Sequence, residues 1–324
     1  MSKCVTVYTQ AYNVENYIEQ CIKSVLSQTF QDFEWILVEN GSTDKTREII
    51  RKYAALDERI KPDYFDVNQD GFTNYYIAEK ADGRYIVKID SDDWIEPEYL
   101  EKLIAPFEDP DVDISICGAV NYEEETGRET PHEYGELDGV YSKSDIEKQF
   151  IEMRSYMGTY WGKMFRREIF CSILPDMKEI GEKLKKGDNF GGDVAFALCY
   201  LGECKKLAFV NERMYHYRIH NNSYATRTIG TNRVFSCLAL RETEHHFLHK
   251  VNAYTEQNVI MVDLLFWQNI EQLFKNIIRA DWDTDQKIKT ISEVCANKDL
   301  QLLRKEAYNS KVRTILMGDI AWCY

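Results

Sequence analysis

The chain has 324 residues, more than one ordinary hydrophobic core holds, so a large domain with an extension, or two domains, is expected. Its 44% hydrophobic and 29% charged residues are globular proportions and exclude disorder along the whole length. With 40 basic and 54 acidic residues the net charge is −14, which excludes a protein built to coat nucleic acid but leaves room for a local phosphate pocket.

The first hundred residues alternate strand and helix. Val5, Val7 and Tyr8 begin a short buried strand, and residues 15–27 form a helix with Ile18, Ile22, Val25 and Leu26 on one face. A second strand covers 35–38. Gly41-Ser42-Thr43-Asp44 ends it, with Ser42 or Thr43 expected to cap a helix over 44–55. A third strand covers 60–65, a helix 72–80 and a fourth strand 85–89, which runs into Asp90-Ser91-Asp92-Asp93. This alternation predicts a mainly parallel sheet flanked by helices, an α/β architecture whose ligands sit at the carboxyl ends of the strands. Further on, a strand is expected at 114–117, a loop over 123–135, a helix capped by Ser142 or Ser144 and running through Met153, and two strands at 206–210 and 214–217. From about 230 the pattern is helical. Ile260, Leu264, Trp267, Ile270, Phe274 and Ile277 recur at spacings of three and four, an apolar stripe that needs a partner. The expected domains are 1–228 and a helical C-terminal extension, 229–324.

Nine cysteines at irregular spacing, without a C-x-x-C pair, argue against disulfides or a zinc site and for a reducing compartment. The start of the chain reads as a strand without a charged-then-apolar leader. The most apolar stretch, 259–267, is interrupted by Asp263 and is too short to span a bilayer. A cytoplasmic protein is expected, with peripheral contact at the inner face of a membrane allowed.

Four constellations could carry chemistry. Three carboxylates within Asp90-Ser91-Asp92-Asp93 repel one another unless a positive group sits between them, and at a buried strand end a hard cation, Mg²⁺ or Mn²⁺, does this most simply. The plain alternative is a solvated acidic turn. Glu39-Asn40-Gly41-Ser42-Thr43-Asp44 could meet a base or ribose, or be an ordinary strand-to-helix turn. Asp193, after Gly191-Gly192, is a helix cap or a general base. Arg218 and His220 end a strand and could reach a diphosphate or a metal, or belong to an edge strand and its polar turn.

The ordered segments 6–13, 24–34, 39–44 and 90–93, followed by Trp161-Gly162-Lys163-Met164-Phe165-Arg166-Arg167, Gly192-Asp193 and the run 217–223, resemble the family 2 glycosyltransferases. The resemblance covers about residues 3–225. It implies a GT-A fold and an inverting, nucleotide-sugar-dependent transfer of a hexose or N-acetylhexosamine, with a UDP-linked donor and a role in bacterial surface glycan or glycoconjugate synthesis. It also assigns positions. Thr9, Gln10, Ala11 and Tyr12 flank the nucleotide, and Glu39 and Asn40 stand where the family shows two aspartates. Asp90, Ser91, Asp92 and Arg218 complete the donor contacts, and Asp93 supports them. Asp92, Asp90 and His220 hold Mn²⁺ or Mg²⁺, and Asp193 is the catalytic base. The acceptor would be a glycan, lipid-linked or protein hydroxyl. The C-terminal helices lie outside the resemblance, and their apolar stripe points to an acceptor platform or a homodimer contact. One departure concerns 72–78, which contains no arginine where many relatives carry an Arg-Asn pair near the nucleotide. A nucleotidyltransferase is disfavoured because no glycine- and lysine-rich phosphate loop follows the first strand. A processive membrane synthase is disfavoured by the lack of a Q-x-x-R-W pattern. A catalytically silent sugar-nucleotide binder of the same fold stays open.

Overall fold

The computed structural model describes residues 4–69, 73–132, 137–188, 190–220 and 232–308. The chain divides into two compact units that interleave along the sequence. The first takes Met1–Lys143, Glu152–Leu174 and Glu203–Asn221, and the second Ser144–Ile151, Pro175–Gly202 and Asn222–Tyr324.

The first unit is built on one sheet. Its strands are β1 (Val5–Ala11), β2 (Phe33–Asn40), β3 (Ile60–Phe65), β4 (Tyr85–Lys88), β5 (Trp94–Ile95), β6 (Val112–Glu123), β7 (Arg128–Pro131), β8 (Gly139–Ser142), β9 (Lys163–Arg166) and β10 (Lys206–Ile219). The order is β3-β2-β1-β4-β9-β6-β10-β5, with β7 paired to β6 and β8 to β10. β3, β2, β1 and β4 are mutually parallel, as are β6 and β10. Between these blocks β9 runs antiparallel to both neighbours. All eight residues of β2 are buried, as a central parallel strand covered on both faces requires. Val5, Val7 and Ala11 of β1 share one core with Ile18, Cys21, Ile22 and Val25 of α1 (Ile18–Leu26). Crossover helices α2 (Thr46–Ala54) and α3 (Thr73–Lys80) return the chain to β3 and β4, and α4 (Tyr99–Ile104) precedes β6.

Two expectations are corrected here. The two strands expected at 206–210 and 214–217 are one strand, β10. It shifts register between Val210 and Arg213, where exposed Asn211 and Glu212 interrupt the apolar pattern and form a bulge without β6 partners, while the strand itself continues. The stretch expected to be a loop at 123–135 contains β7, an edge strand that is polar because it buries little. Ser142 ends β8, and a short 3₁₀ turn at Lys143–Asp145 leads into the expected helix, α5 (Ile146–Tyr156).

After α6 (Arg167–Ser172) come α7 (Leu174–Leu184) and α8 (Gly192–Glu203), and then α9 (Arg233–Lys250), α10 (Glu256–Arg279), α11 (Thr284–Cys295) and α12 (Lys298–Tyr308). A core of the second unit joins Val234 and Cys237 to Phe266, Ile270, Leu273, Ile277, Val294 and Leu300. The buried line of α10 therefore runs through Val262, Phe266, Ile270, Leu273 and Ile277, while Ile260, Leu264, Trp267 and Phe274 are half-buried. Two lines at helical spacing share Ile270 and Ile277, and the packing against α9 decides between them. Among the described residues no helix is long and apolar enough to cross a membrane, and no cysteine is paired.

Candidate active site

β1 lies between β2 and β4, so the strand order reverses there, the place where open sheets of this kind bind ligands beyond the carboxyl ends of their strands. Two turns border it. At the end of β2, Glu39 is fully buried; its carboxylate accepts from the Ser42 amide (2.5 Å) and from Arg47 Nε on α2. Arg47 also donates to the Phe65 carbonyl at the end of β3. Buried Asn40 donates to Asn68 Oδ1 (2.8 Å) and accepts from the Gln69 amide (3.0 Å). Gly41, at φ +76°, lets this backbone approach: a Cβ there would lie 2.5 Å from the Val67 carbonyl carbon. Ser42 and Thr43 do not cap α2, because both bind the β1–α1 loop. Ser42 Oγ accepts from the Asn13 amide (3.1 Å), and the Thr43 amide donates to Asn13 Oδ1 (2.8 Å). Asp44 takes the capping work, accepting from the Thr46 amide (2.9 Å) and the Glu15 amide (3.0 Å).

On β1 itself, Thr9 Oγ1 accepts from Trp35 Nε1 (3.1 Å), and Ala11 belongs to the core. Gln10 is half-buried and Tyr12 is exposed at the strand end.

The second turn, Asp90-Ser91-Asp92-Asp93, follows β4 and is tied to β10. Tyr215 Oη accepts from the Asp90 amide (3.0 Å) and donates to Asp93 Oδ2 (2.7 Å). The Arg218 amide donates to Asp93 Oδ1 (2.8 Å), and Arg218 Nε donates to the Asp92 carbonyl (2.8 Å). His220 Nε2 lies 3.0 Å from Asp92 Oδ2. Ser91 is buried. Asp90 turns to Lys88, whose Nζ is 3.1 Å from its carboxylate. Burial, then repulsion from Asp90, raises the Asp92 carboxyl above its ordinary range despite the His220 contact. Burial, then Asp92 and Asp90, pushes Asp93 well up despite two donors.

Arg218 is buried, not extended toward a ligand. Its guanidinium lies over the rings of Trp94 (4.8 Å), Tyr17 (5.0 Å) and Tyr122 (5.3 Å) and donates to Gln20 Oε1 (2.6 Å). The Tyr17 ring also meets His220, with centroids 4.8 Å apart. The sequence reading missed Tyr17, Gln20, Trp94, Tyr122 and Tyr215. Only the aromatic spacing of Tyr215 and Tyr217 beside Arg218 hinted at them.

The expected metal ligands are only partly brought together. Asp92 and His220 meet, while Asp90 is neutralised by Lys88. Among the described residues no three His, Cys, Asp or Glu side chains form a closed metal cage. The pair still fits Mg²⁺ or Mn²⁺. His220 Nδ1 is buried without a hydrogen-bond partner among the described residues, Asp92 is held in a like-charged crowd, and such ions complete their shell with water and phosphate oxygens.

Asp193 lies on the second unit. It is exposed and sits inside the first turn of α8, not at the cap, because the helix already begins at Gly192. A negative side chain there interacts favourably with the helix dipole. Asp188, another carboxylate just before α8, is tied to Arg233 Nε and to Ser236 Oγ (3.2 Å) on α9.

Residues 6–174 match the family model described as Glycosyl transferase family 2. A putative glycosyltransferase, EpsH of Bacillus subtilis, is 31% identical over 305 residues, covering 92% of this chain and 84% of EpsH. The chain belongs to glycosyltransferase family 2. This glycosyltransferase also has the fold of solved members of the GT-A type. The structure of S. aureus TarS 1-349 in complex with UDP matches 90% of the chain and 80% of its own length at TM-score 0.59 and 19% identity. A mannosyltransferase from Pyrobaculum calidifontis, in complex with GDP-Man and Mn²⁺, matches 94% and 83% at TM-score 0.52 and 14% identity. The family match includes the acidic turn and Trp161-Gly162-Lys163 of the glycosyltransferase. It ends before Asp193, Arg218 and His220.

Proposed function

We propose that this glycosyltransferase moves a hexose or N-acetylhexosamine from a nucleoside diphosphate, UDP by preference, to an acceptor hydroxyl with inversion. The observation that carries this reading is the Asp92–His220 pair, presented at the carboxyl end of β4 beside the reversal point of the sheet. The UDP bound by TarS supports the choice of nucleotide, and the Mn²⁺ beside GDP-Man in the mannosyltransferase supports a metal. Asp92 and His220 would hold a divalent ion, which would supply positive charge against the charge gained by the departing diphosphate. Gln10 and Tyr12 border the nucleotide. Thr9, Ala11, Glu39 and Asn40 shape the crevice from behind, since their polar atoms or packing are engaged within the fold. The acceptor oxygen forms its bond to the anomeric carbon as the bond to the diphosphate breaks, and its proton passes to the Asp193 carboxylate.

The acceptor is a glycan, lipid-linked or protein hydroxyl in bacterial surface glycan synthesis. The enzyme works in the cytoplasm or at the inner face of the membrane. Residues 229–324 serve as an acceptor platform or a homodimer contact beside a catalytic domain of 1–228.

Asp193→Asn is the test. Losing the charge from the first turn of α8 costs about 0.3–1 kcal/mol, whereas losing a general base lowers turnover at least ~100-fold. Donor affinity by calorimetry is expected to stay near wild type while the transfer rate falls. Near-normal transfer by this variant would remove Asp193 from the chemistry.

A further inference from the structure

Trp161-Gly162-Lys163 is a family segment that the proposed function leaves without a role, and the structure connects it to the acidic turn. Lys163 is almost wholly buried. Its ammonium donates to the Thr159 carbonyl (2.7 Å), Thr159 Oγ1 (2.9 Å) and the Trp161 carbonyl (3.2 Å), which closes the 159–161 turn around it. Gly162 continues at φ +73° and hands its carbonyl to the Cys117 amide (2.9 Å) on β6. The turn so fixed lays the Trp161 indole flat on Tyr215, with centroids 4.5 Å apart and planes 5° apart, and against Tyr217 at 5.5 Å. Tyr215 is fully buried, and its hydroxyl is the group that holds the Asp90 amide and the Asp93 carboxylate.

We infer that Trp161 and Tyr215 are positioning residues for the donor-binding turn. Lys163 fixes Trp161, Trp161 sets the plane of Tyr215, and the Tyr215 hydroxyl clamps the two ends of the turn so that the Asp92 carboxylate meets His220. Neither aromatic residue touches substrate. The buried, stacked ring has two rotatable angles and one polar atom, so a small tilt of the indole moves the hydroxyl and with it both hydrogen bonds to the turn. The inference deepens the proposed function and rests on Asp92 serving the donor diphosphate.

The experiment compares Tyr215→Phe, Trp161→Phe and Asp92→Ala in the full chain. It measures Mn²⁺ binding in the presence of UDP by loss of the free-ion electron paramagnetic resonance signal, and the Mn²⁺ dependence of transfer. Tyr215→Phe keeps the stack and removes a hydrogen bond to a charged group, so it raises the Mn²⁺ concentration for half-saturation at least ~10-fold. Trp161→Phe shrinks the stack and raises it about 2–10-fold. Trp161→Phe leaves every carboxylate its partners, so it answers the question even if Tyr215→Phe does not fold. Thermal unfolding without ligand monitors folding, and a purely structural role would lower the melting temperature without moving the Mn²⁺ half-saturation of the folded protein. Unchanged half-saturation in a folded Tyr215→Phe or Trp161→Phe protein, beside an Asp92→Ala protein that no longer binds Mn²⁺ with UDP, overturns this inference alone. Normal Mn²⁺ binding and transfer by Asp92→Ala overturns the proposed function beneath it.

Discussion

The two turns beside β1 are both polar, both at strand ends and both drawn from the same kind of sequence, yet they differ in what their side chains have left to offer. At the end of β2 the carboxylates and amides are engaged within the protein: Glu39 by Arg47 and Ser42, Asn40 by residues 68 and 69, Asp44 by two backbone amides. At the end of β4, Asp92 meets His220, and that imidazole keeps a buried nitrogen without a partner among the described residues. The carboxyl pKa values record the difference. Asp44 is partly buried, which raises it, but its bonds to Thr46 and Glu15 prevail and hold it below the ordinary range. Asp92 is raised by burial and by Asp90. A saturated polar turn is architecture. A turn that keeps unfilled valence and crowded charge is where a ligand lowers the energy.

Asp92→Ala breaks the comparison most directly. It is expected to lower transfer at least ~100-fold, the effect of losing one charge-stabilising contact in the transition state, and to abolish thermal stabilisation by UDP with Mn²⁺. EDTA-treated wild-type enzyme working at full rate would take the metal away from this turn. Gly41→Ala tests the architectural side. A side chain at φ +76° whose Cβ meets backbone at 2.5 Å should cost about 1–3 kcal/mol or more, seen as a lower denaturation midpoint with the Mn²⁺ half-saturation of the folded protein unchanged. A large change in that half-saturation would show that the β2 turn does more than hold shape. The smallest effect is expected of Asp44→Asn, which should lose about 1 kcal/mol at neutral pH. Because the folded pKa of Asp44 is depressed, its contribution is complete above the ordinary carboxyl pKa of about 4 and is lost as pH falls through the folded value. The gap in melting temperature between wild type and Asp44→Asn should therefore close on acidification. A gap that widens would reverse the sign.

Much of this was legible in the chain. β3 was read at its observed limits, β1, β2 and β4 within a few residues, and the acidic turn stood out because a short buried run ended abruptly in three carboxylates. Local pattern carried these readings. What escaped it was tertiary. Tyr215 and Trp161 are far apart in sequence, and ring spacing along one strand does not say which hydroxyl reaches which carboxylate. Ser42 resembled a helix cap until Asn13, 29 residues earlier, claimed its oxygen. Arg218 looked like a phosphate ligand, because nothing local reveals a cage drawn from Tyr17, Trp94 and Tyr122.

β9, only four residues long, separates the parallel block β3-β2-β1-β4 from the parallel pair β6 and β10. The acidic turn leaves one block and is fastened by Tyr215, Arg218 and His220 to the other. It is thus a second seam across the sheet, made of side chains where β9 is made of backbone. Anything that binds and steadies the turn stiffens the sheet across that seam, by mass action on the folded state. Amide exchange in β9, which no donor need touch, should then slow when the donor nucleotide and its ion bind, so that a backbone strand reports on the occupancy of a side-chain joint.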